Sequence, residues 1–201
     1  MSVPVATAAA PRPRTLSVPS AGPTRLRVPD LLHATDRAAD DVLSGRRDHL
    51  LPEGGIPESR RWFTRIHGDE ELDVWLISWV PGHPTELHDH GGSLGALTVI
   101  SGSLNEYRWD GRALRRRRLD AGDQAGFPLG WVHDVVWAPR PVTVPVTLPA
   151  AASASSGPVR PTLSVHAYSP PLTAMSYYDI TDRKTLRRNR TELTDQPEGS
   201  L

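Results

Sequence analysis

The chain has no cysteine among its 201 residues. Disulfides, thiolate metal sites and a cysteine nucleophile are excluded, so any metal must be held by nitrogen and oxygen. Charge of one sign is also missing: 23 Lys and Arg balance 23 Asp and Glu. No net field draws the protein to nucleic acid or to an anionic membrane. No apolar run approaches the roughly 18–20 residues that a membrane span needs. The opening stretch, MSVPVATAAAPRPRTLSVPS, lacks a continuous apolar segment, which argues against a signal peptide. The resulting expectation is a cytoplasmic protein, a monomer, with neither nucleic acid nor membrane as partner. Its length suits one domain with a sizeable core and would make two domains cramped.

Residues 1–27 are Pro- and Ala-rich and read as a disordered arm. The stretch PDLLHATDRAADDVLSG follows with helical periodicity, Asp30 as its cap and Gly45 as its end. From residue 62 the apolar period becomes two. RWFTRI, a turn at HGDEE, and LDVWLISWV predict a hairpin. GALTVISGSLNEYRW continues as strand, turn, strand, and Asp110-Gly111 is a hairpin signal before RALRRRRL. WVHDVVWA and TLSVHAYS are further strands. Many short strands with Gly, Asp and Pro between them predict an all-β barrel or sandwich. Residues 139–161 break the rhythm and read as an inserted flexible loop, and 183–201 as a polar tail, which leaves 28–182 as the domain. The RRRR run at 115–118 reads as a solvated strand, since no aromatic stacking platform accompanies it.

Two of the eight histidines stand one residue apart in ELHDHGGSLGAL. On an extended segment His88 and His90 point the same way and Asp89 the other. Alone, such a pair is commonly two surface residues. Its flanks change that reading. PGHPTELHDHGGSLGALTVISG resembles the first cupin motif, with Gly82, His88, His90 and Gly102 in place, and GDQAGFPLGWVH resembles the second, with Gly122, Pro128, Gly130 and His133. The resemblance implies an all-β, cupin double-stranded β-helix (a jelly-roll barrel) behind a short N-terminal helical segment, with the three histidines converging in its mouth. Many cupins add a glutamate ligand four or five residues after the second histidine, where this chain has Leu94 and Gly95. The metal then meets three neutral imidazoles, which suit Zn, Cu, Fe and Ni alike. A zinc hydrolytic centre fits the same ligands.

The strand LSVHAYSPP puts Ser164, His166 and Tyr168 on one face. Buried without partners, each would cost about 1–3 kcal/mol. A relay in which Ser164 orients His166, and His166 holds the Tyr168 hydroxyl, satisfies all three. With HDHGGS, VHDV, SVHAYSPP, FTRI and SWVPGH together, residues 30–180 resemble the cysteine dioxygenase family of thiol dioxygenases. The resemblance implies an Fe(II) enzyme that takes a small-molecule thiol, L-cysteine, and O2 to cysteine sulfinate. It assigns His88, His90 and His133 to iron, Ser164, His166 and Tyr168 to the catalytic relay, and Arg65, with Phe63 packed beside it, to the substrate carboxylate. Trp79 and His83 also match family positions and are expected to be structural supports.

Animal members of that family join a cysteine to the site tyrosine. Here that position is Gly95, so no thioether can form. The rival readings are a dioxygenase of another small thiol such as 3-mercaptopropionate, a zinc or manganese cupin isomerase or hydrolase, and a non-catalytic metal-binding cupin sensor.

Overall fold

The computed structural model describes residues 25–139 and 160–198. The expected N-terminal arm, up to residue 24, and the expected insertion, from residue 140 to 159, lie outside the described residues.

Helix α1 spans Val28–Leu43. Pro29 fits its first turn, where a missing N–H costs nothing. Asp30 sits inside the helix rather than at its cap: Arg27 holds the cap position, and its backbone N–H donates to Asp30 Oδ2 at 2.7 Å. The helix stops where expected, with Gly45 just past the end at φ 77°, a conformation that favours glycine. Leu31, Ala34, Thr35, Ala38 and Ala39 are buried and recur at helical spacing, so one stripe faces the protein.

Eleven strands follow among the described residues: β1 Trp62–Gly68, β2 Asp73–Trp79, β3 His88–Asp89, β4 Leu94–Ser101, β5 Ser103–Trp109, β6 Leu114–Asp120, β7 Gln124–Phe127, β8 His133–Trp137, β9 Thr162–Ser169, β10 Ala174–Ile180 and β11 Leu186–Leu193. They form two antiparallel sheets. One runs β1-β2-β9-β4-β7 and the other β11-β10-β3-β8-β5-β6. Hydrophobic alternation assigns the faces. Trp75, Ile77, Trp79, Leu97 and Val99 from the first sheet meet Leu104, Leu119, Val135 and Met175 from the second in the inner core. Val74, Leu76, Ala96, Val165 and Ala167 point outward and are covered by Leu31, Ala38 and Ala39 of α1. That is why β2 is buried along its whole length and reads as a nearly continuous apolar run. Among the described residues no helix is long and apolar enough to cross a membrane.

The chain after residue 182 departs from the expected polar tail. β11 pairs with β10 along its length, from Ala174↔Leu193 to Ile180↔Leu186. It is an edge strand with Arg187, Arg188 and Asn189 exposed, so its composition is polar although its backbone is paired. The arginine run lies on β6, the opposite edge, as a solvated strand. Arg115 pairs with Asp110, Arg117 with Glu106 and Arg118 with Asp120, at 2.6–2.8 Å. The Asp110-Gly111 turn joins β5 to β6, with Asp110 N–H donating to the Ala113 carbonyl.

Candidate metal centre

His88 opens β3 and pairs on both sides, with Tyr177 of β10 and His133 of β8. His90 follows one residue past the strand. All three imidazoles are buried, and their ring centroids stand 4.9 Å (His88–His133), 5.2 Å (His88–His90) and 5.2 Å (His90–His133) apart. One ligand nitrogen from each lies within 4.8 Å of the others. Asp89, between them, turns away to accept from Tyr178 Oη at 2.6 Å, as alternation predicts.

What holds each ring decides which nitrogen is free. Nδ1 of His88 donates to the Glu86 carbonyl at 2.9 Å, a contact made possible by the left-handed backbone at Glu86 (φ 62°). Nδ1 of His133 lies 3.2 Å from Oε1 of Glu106. With Nδ1 engaged in both, Nε2 keeps its lone pair. The Nε2 atoms of His88, His90 and His133 are all buried without a hydrogen-bond partner. A buried, unsatisfied polar atom costs about 1–3 kcal/mol, and three converging on one point make a poor arrangement unless a cation takes the lone pairs. The donor set fits a metal. Burial, reinforced by neighbouring His133, pulls His88 down to about 4, and burial likewise holds His90 well below its ordinary value. His88 and His90 are therefore neutral near pH 7, the form a ligand needs.

Glu106 was not read from the sequence. Burial acts to raise its carboxyl, but His133, the Trp131 indole N–H at 3.0 Å and Arg117 outweigh that and hold it near 2. It shares the inward face with Leu104 on β5, and an acid at an inward position was the available signal. Gly95 has a second role besides replacing a carboxylate. A Cβ there would stand 2.9 Å from Phe127 Cδ2 and 3.2 Å from His90 Nδ1, so its bareness makes room for the His90 ring.

Facing the histidines from the other sheet, β9 carries Ser164, His166 and Tyr168, all fully buried. Trp79 Nε1 donates to Ser164 Oγ at 2.8 Å, His166 Nε2 is 3.0 Å from the same Oγ, and His166 Nδ1 is 3.2 Å from the Tyr168 hydroxyl. Trp79 closes the outer end of this hydrogen-bonded row. His83, expected as a structural support, is exposed. Burial, then the nearby Glu198 carboxylate, raise Tyr168 well above the ordinary tyrosine range, so its hydroxyl stays protonated.

Phe63 and Arg65 partner Ile77 and Trp75 across the β1–β2 pair and so share the inner face. Phe63 packs edge-on against Trp75 at 5.8 Å. Arg65 stands at the rim with 42% of its side chain exposed. Its guanidinium lies over Trp75, its Nε is 3.5 Å from Asp73 Oδ1, and its Nη2 donates to the Asp195 carbonyl at 3.1 Å. Two other groups reach the relay or its Trp79 support, and neither was anticipated. Arg61 lies 3.8 Å over the Trp79 ring and donates to the Glu198 carbonyl at 2.8 Å. Glu198, nearly fully buried, accepts from the Tyr168 hydroxyl, and its Oε1 is 2.7 Å from His166 Nδ1, although not aligned for a hydrogen bond. Arg61 continues the Phe63 and Arg65 alternation and was legible in principle. Glu198 sits in a polar run with no periodic signal.

A two-sheet jelly-roll barrel with three histidines converging between its sheets defines a cupin. The family model of cysteine dioxygenase type I matches residues 56–127, which include His88 and His90 and end before His133 and β9. Cysteine dioxygenase type 1 of Danio rerio is 24% identical over 131 residues, 63% of this chain. The chain spans 58% of that relative's length. Over these residues the chain is similar to the cysteine dioxygenase type I family. Solved structures similar to it include a conserved protein with a double-stranded β-helix domain from Klebsiella pneumoniae (21% identity, 61% of this chain and 85% of that one, TM-score 0.42). A protein from Bacillus halodurans is 17% identical over 75% of this chain and 85% of that one, with TM-score 0.43.

Proposed function

We propose that this cupin is a thiol dioxygenase that oxidises L-cysteine with O2 to cysteine sulfinate, R–SH + O2 → R–SO2⁻ + H⁺. The reading rests on one observation: three buried, partnerless imidazole nitrogens on one sheet face a satisfied Ser164–His166–Tyr168 chain on the other. His88, His90 and His133 would hold Fe(II), and the bound ion would supply the Lewis acidity that deprotonates a thiol and a redox-active centre through which the sulfur's electrons reach O2. The ionisation matters because a free cysteine thiol, pKa near 8.5, is only about 3% thiolate at pH 7.

The chain's own residues bind, orient and protect. Phe63 and Trp75 wall the inner face, and the buried core behind them excludes water. Arg65 carries a planar fork suited to a carboxylate, which lysine or glutamine would not reproduce. Tyr168, kept protonated, supplies an O–H, while His166, itself held by Ser164, braces its oxygen. O2 consumption by the isolated protein, with a panel of thiols and a metal assay, tests the reading. Iron-dependent O2 uptake with L-cysteine is expected. Turnover without O2 would make it a zinc-type hydrolase or isomerase, binding without turnover a sensor, and preference for 3-mercaptopropionate a dioxygenase of that thiol.

A further inference from the structure

The chain's last described residues run across the mouth of the barrel. Thr194 N–H donates to the Thr173 carbonyl, Arg65 donates to the Asp195 carbonyl, and Arg61 donates to the Glu198 carbonyl. Both arginines on the inner face of the β1 edge thus grip main-chain oxygens of one segment, residues 194–198. Beside it opens a cavity of about 300 Å³, lined by Met175, Tyr177, Thr194 and Gln196. The Tyr177 ring there is 6.1 Å from that of His88. At the end of the segment the Glu198 carboxylate enters the barrel and accepts a hydrogen bond from the Tyr168 hydroxyl.

Three observations show that this place is built for a carboxylate. Tyr168 and His166 are fully buried and meet the Glu198 oxygens directly. Arg61 spends one N–H on the Glu198 carbonyl, while its Nε and Nη1 are buried with no acceptor. Trp79, under the guanidinium, holds it from behind. The site therefore offers a hydroxyl donor, an imidazole and two guanidinium nitrogens whose N–H groups are unused. A second carboxylate could not enter beside Glu198, because two like charges at one buried place exclude each other.

We propose that Glu198 is an internal stand-in for the substrate's carboxylate. In the resting chain it fills an anion subsite made by Arg61, Tyr168 and His166, and a carboxylate-bearing thiol binds by displacing it, with Arg65, freed from the same segment, as the second arginine on its carboxylate. The proposal rests on the thiol-dioxygenase reading for the identity of the substrate, but the subsite itself does not. Displacement frees Tyr168 to donate elsewhere, and loosening of residues 194–198 releases Arg61 and Arg65 together. Closure lowers the apparent affinity for a carboxylate by the fraction of time the subsite is open. A segment closed nine-tenths of the time costs about tenfold.

The test uses L-alanine, which has the carboxylate and amine of cysteine without sulfur, and the full-length protein as isolated. Binding is followed by calorimetry and by NMR. Weak binding to the wild type and binding about tenfold tighter to Glu198→Ala are expected. Adding Arg61→Gln to Glu198→Ala should abolish the gain. Glu198→Gln, which keeps the shape and loses the charge, should bind at an intermediate level, and it decides the matter if the alanine variant does not fold. Amide exchange at 194–198 should quicken when L-alanine is added. Neither thiol turnover nor O2 enters these readouts, so they stand even if the dioxygenase reading fails. In O2 uptake, Glu198→Ala should lower KM for L-cysteine and leave the KM of cysteamine, which has no carboxylate, unchanged. Equal L-alanine affinity in wild type and both Glu198 variants, or a raised KM for cysteine and cysteamine alike, would overturn the proposal and make Glu198 a fixed part of the site.

Discussion

Glu106 stands behind His133: its Oε1 is 3.2 Å from Nδ1, while Nε2 of the same ring converges with the other two imidazoles. A carboxylate behind a metal-facing histidine fixes the ring's tautomer and orientation and raises its basicity. Glu106→Gln should therefore lower metal affinity by about ten- to a hundredfold with the fold intact. Competition against a chelator measures it. Unchanged affinity would show that β5 and β8 position the ring without help.

Replacing a converging imidazole should do more. His133→Ala should lose stoichiometric metal and iron-dependent O2 uptake together, whereas the exposed His83→Ala should keep both. Metal analysis after dialysis reads the first and an oxygen electrode the second. Full metal occupancy in His133→Ala would remove it from the site.

The relay makes separate predictions for stability and for turnover. Ser164→Ala removes the common partner of Trp79 Nε1 and His166 Nε2. Leaving those buried groups unsatisfied should destabilise the fold by about 1–3 kcal/mol each, read in urea denaturation. Tyr168→Phe should keep its metal and slow turnover by roughly ten- to a hundredfold, equivalent to losing one charge-assisted hydrogen bond of about 1.5–3 kcal/mol. An unimpaired Tyr168→Phe would take the relay out of the reaction.

Arg65 separates the two thiols. Arg65→Gln should weaken L-cysteine kcat/KM by roughly ten- to a hundredfold, from about 1.5–3 kcal/mol of charged hydrogen bonding, and 3-mercaptopropionate by less. The second thiol has no amine whose register a fixed carboxylate must serve. Indifference of cysteine turnover to this change would favour the rival substrate.

Gly95 is tight rather than free. With Phe127 Cδ2 at 2.9 Å and His90 Nδ1 at 3.2 Å from an added Cβ, Gly95→Ala must displace one ring or the other. We expect weaker metal binding and a destabilisation of about 1–3 kcal/mol from overpacking. A variant with wild-type metal affinity and melting temperature would mean that Phe127 alone gives way.

The sequence alone determined much of this protein because much of it is local chemistry. Period-two alternation placed β1, β2, β8 and β9, and turn residues such as Asp110-Gly111 placed the breaks between strands. Alternation also put Ser164, His166 and Tyr168 on one face and turned Asp89 away from His88 and His90. Tertiary structure decided what rests on long-range placement. β11 reads as a tail because an edge strand needs no apolar face to pair through its backbone. Asp30 could not be told from a cap, since an acid in the first helical turn serves either position. Glu198, 30 residues beyond Tyr168 in sequence, reaches its hydroxyl only because the chain returns over the barrel mouth. Glu106 and Arg61 are ordinary charges in sequence. They become partners of His133 and Glu198 only when two sheets close around them and leave water no room to compete.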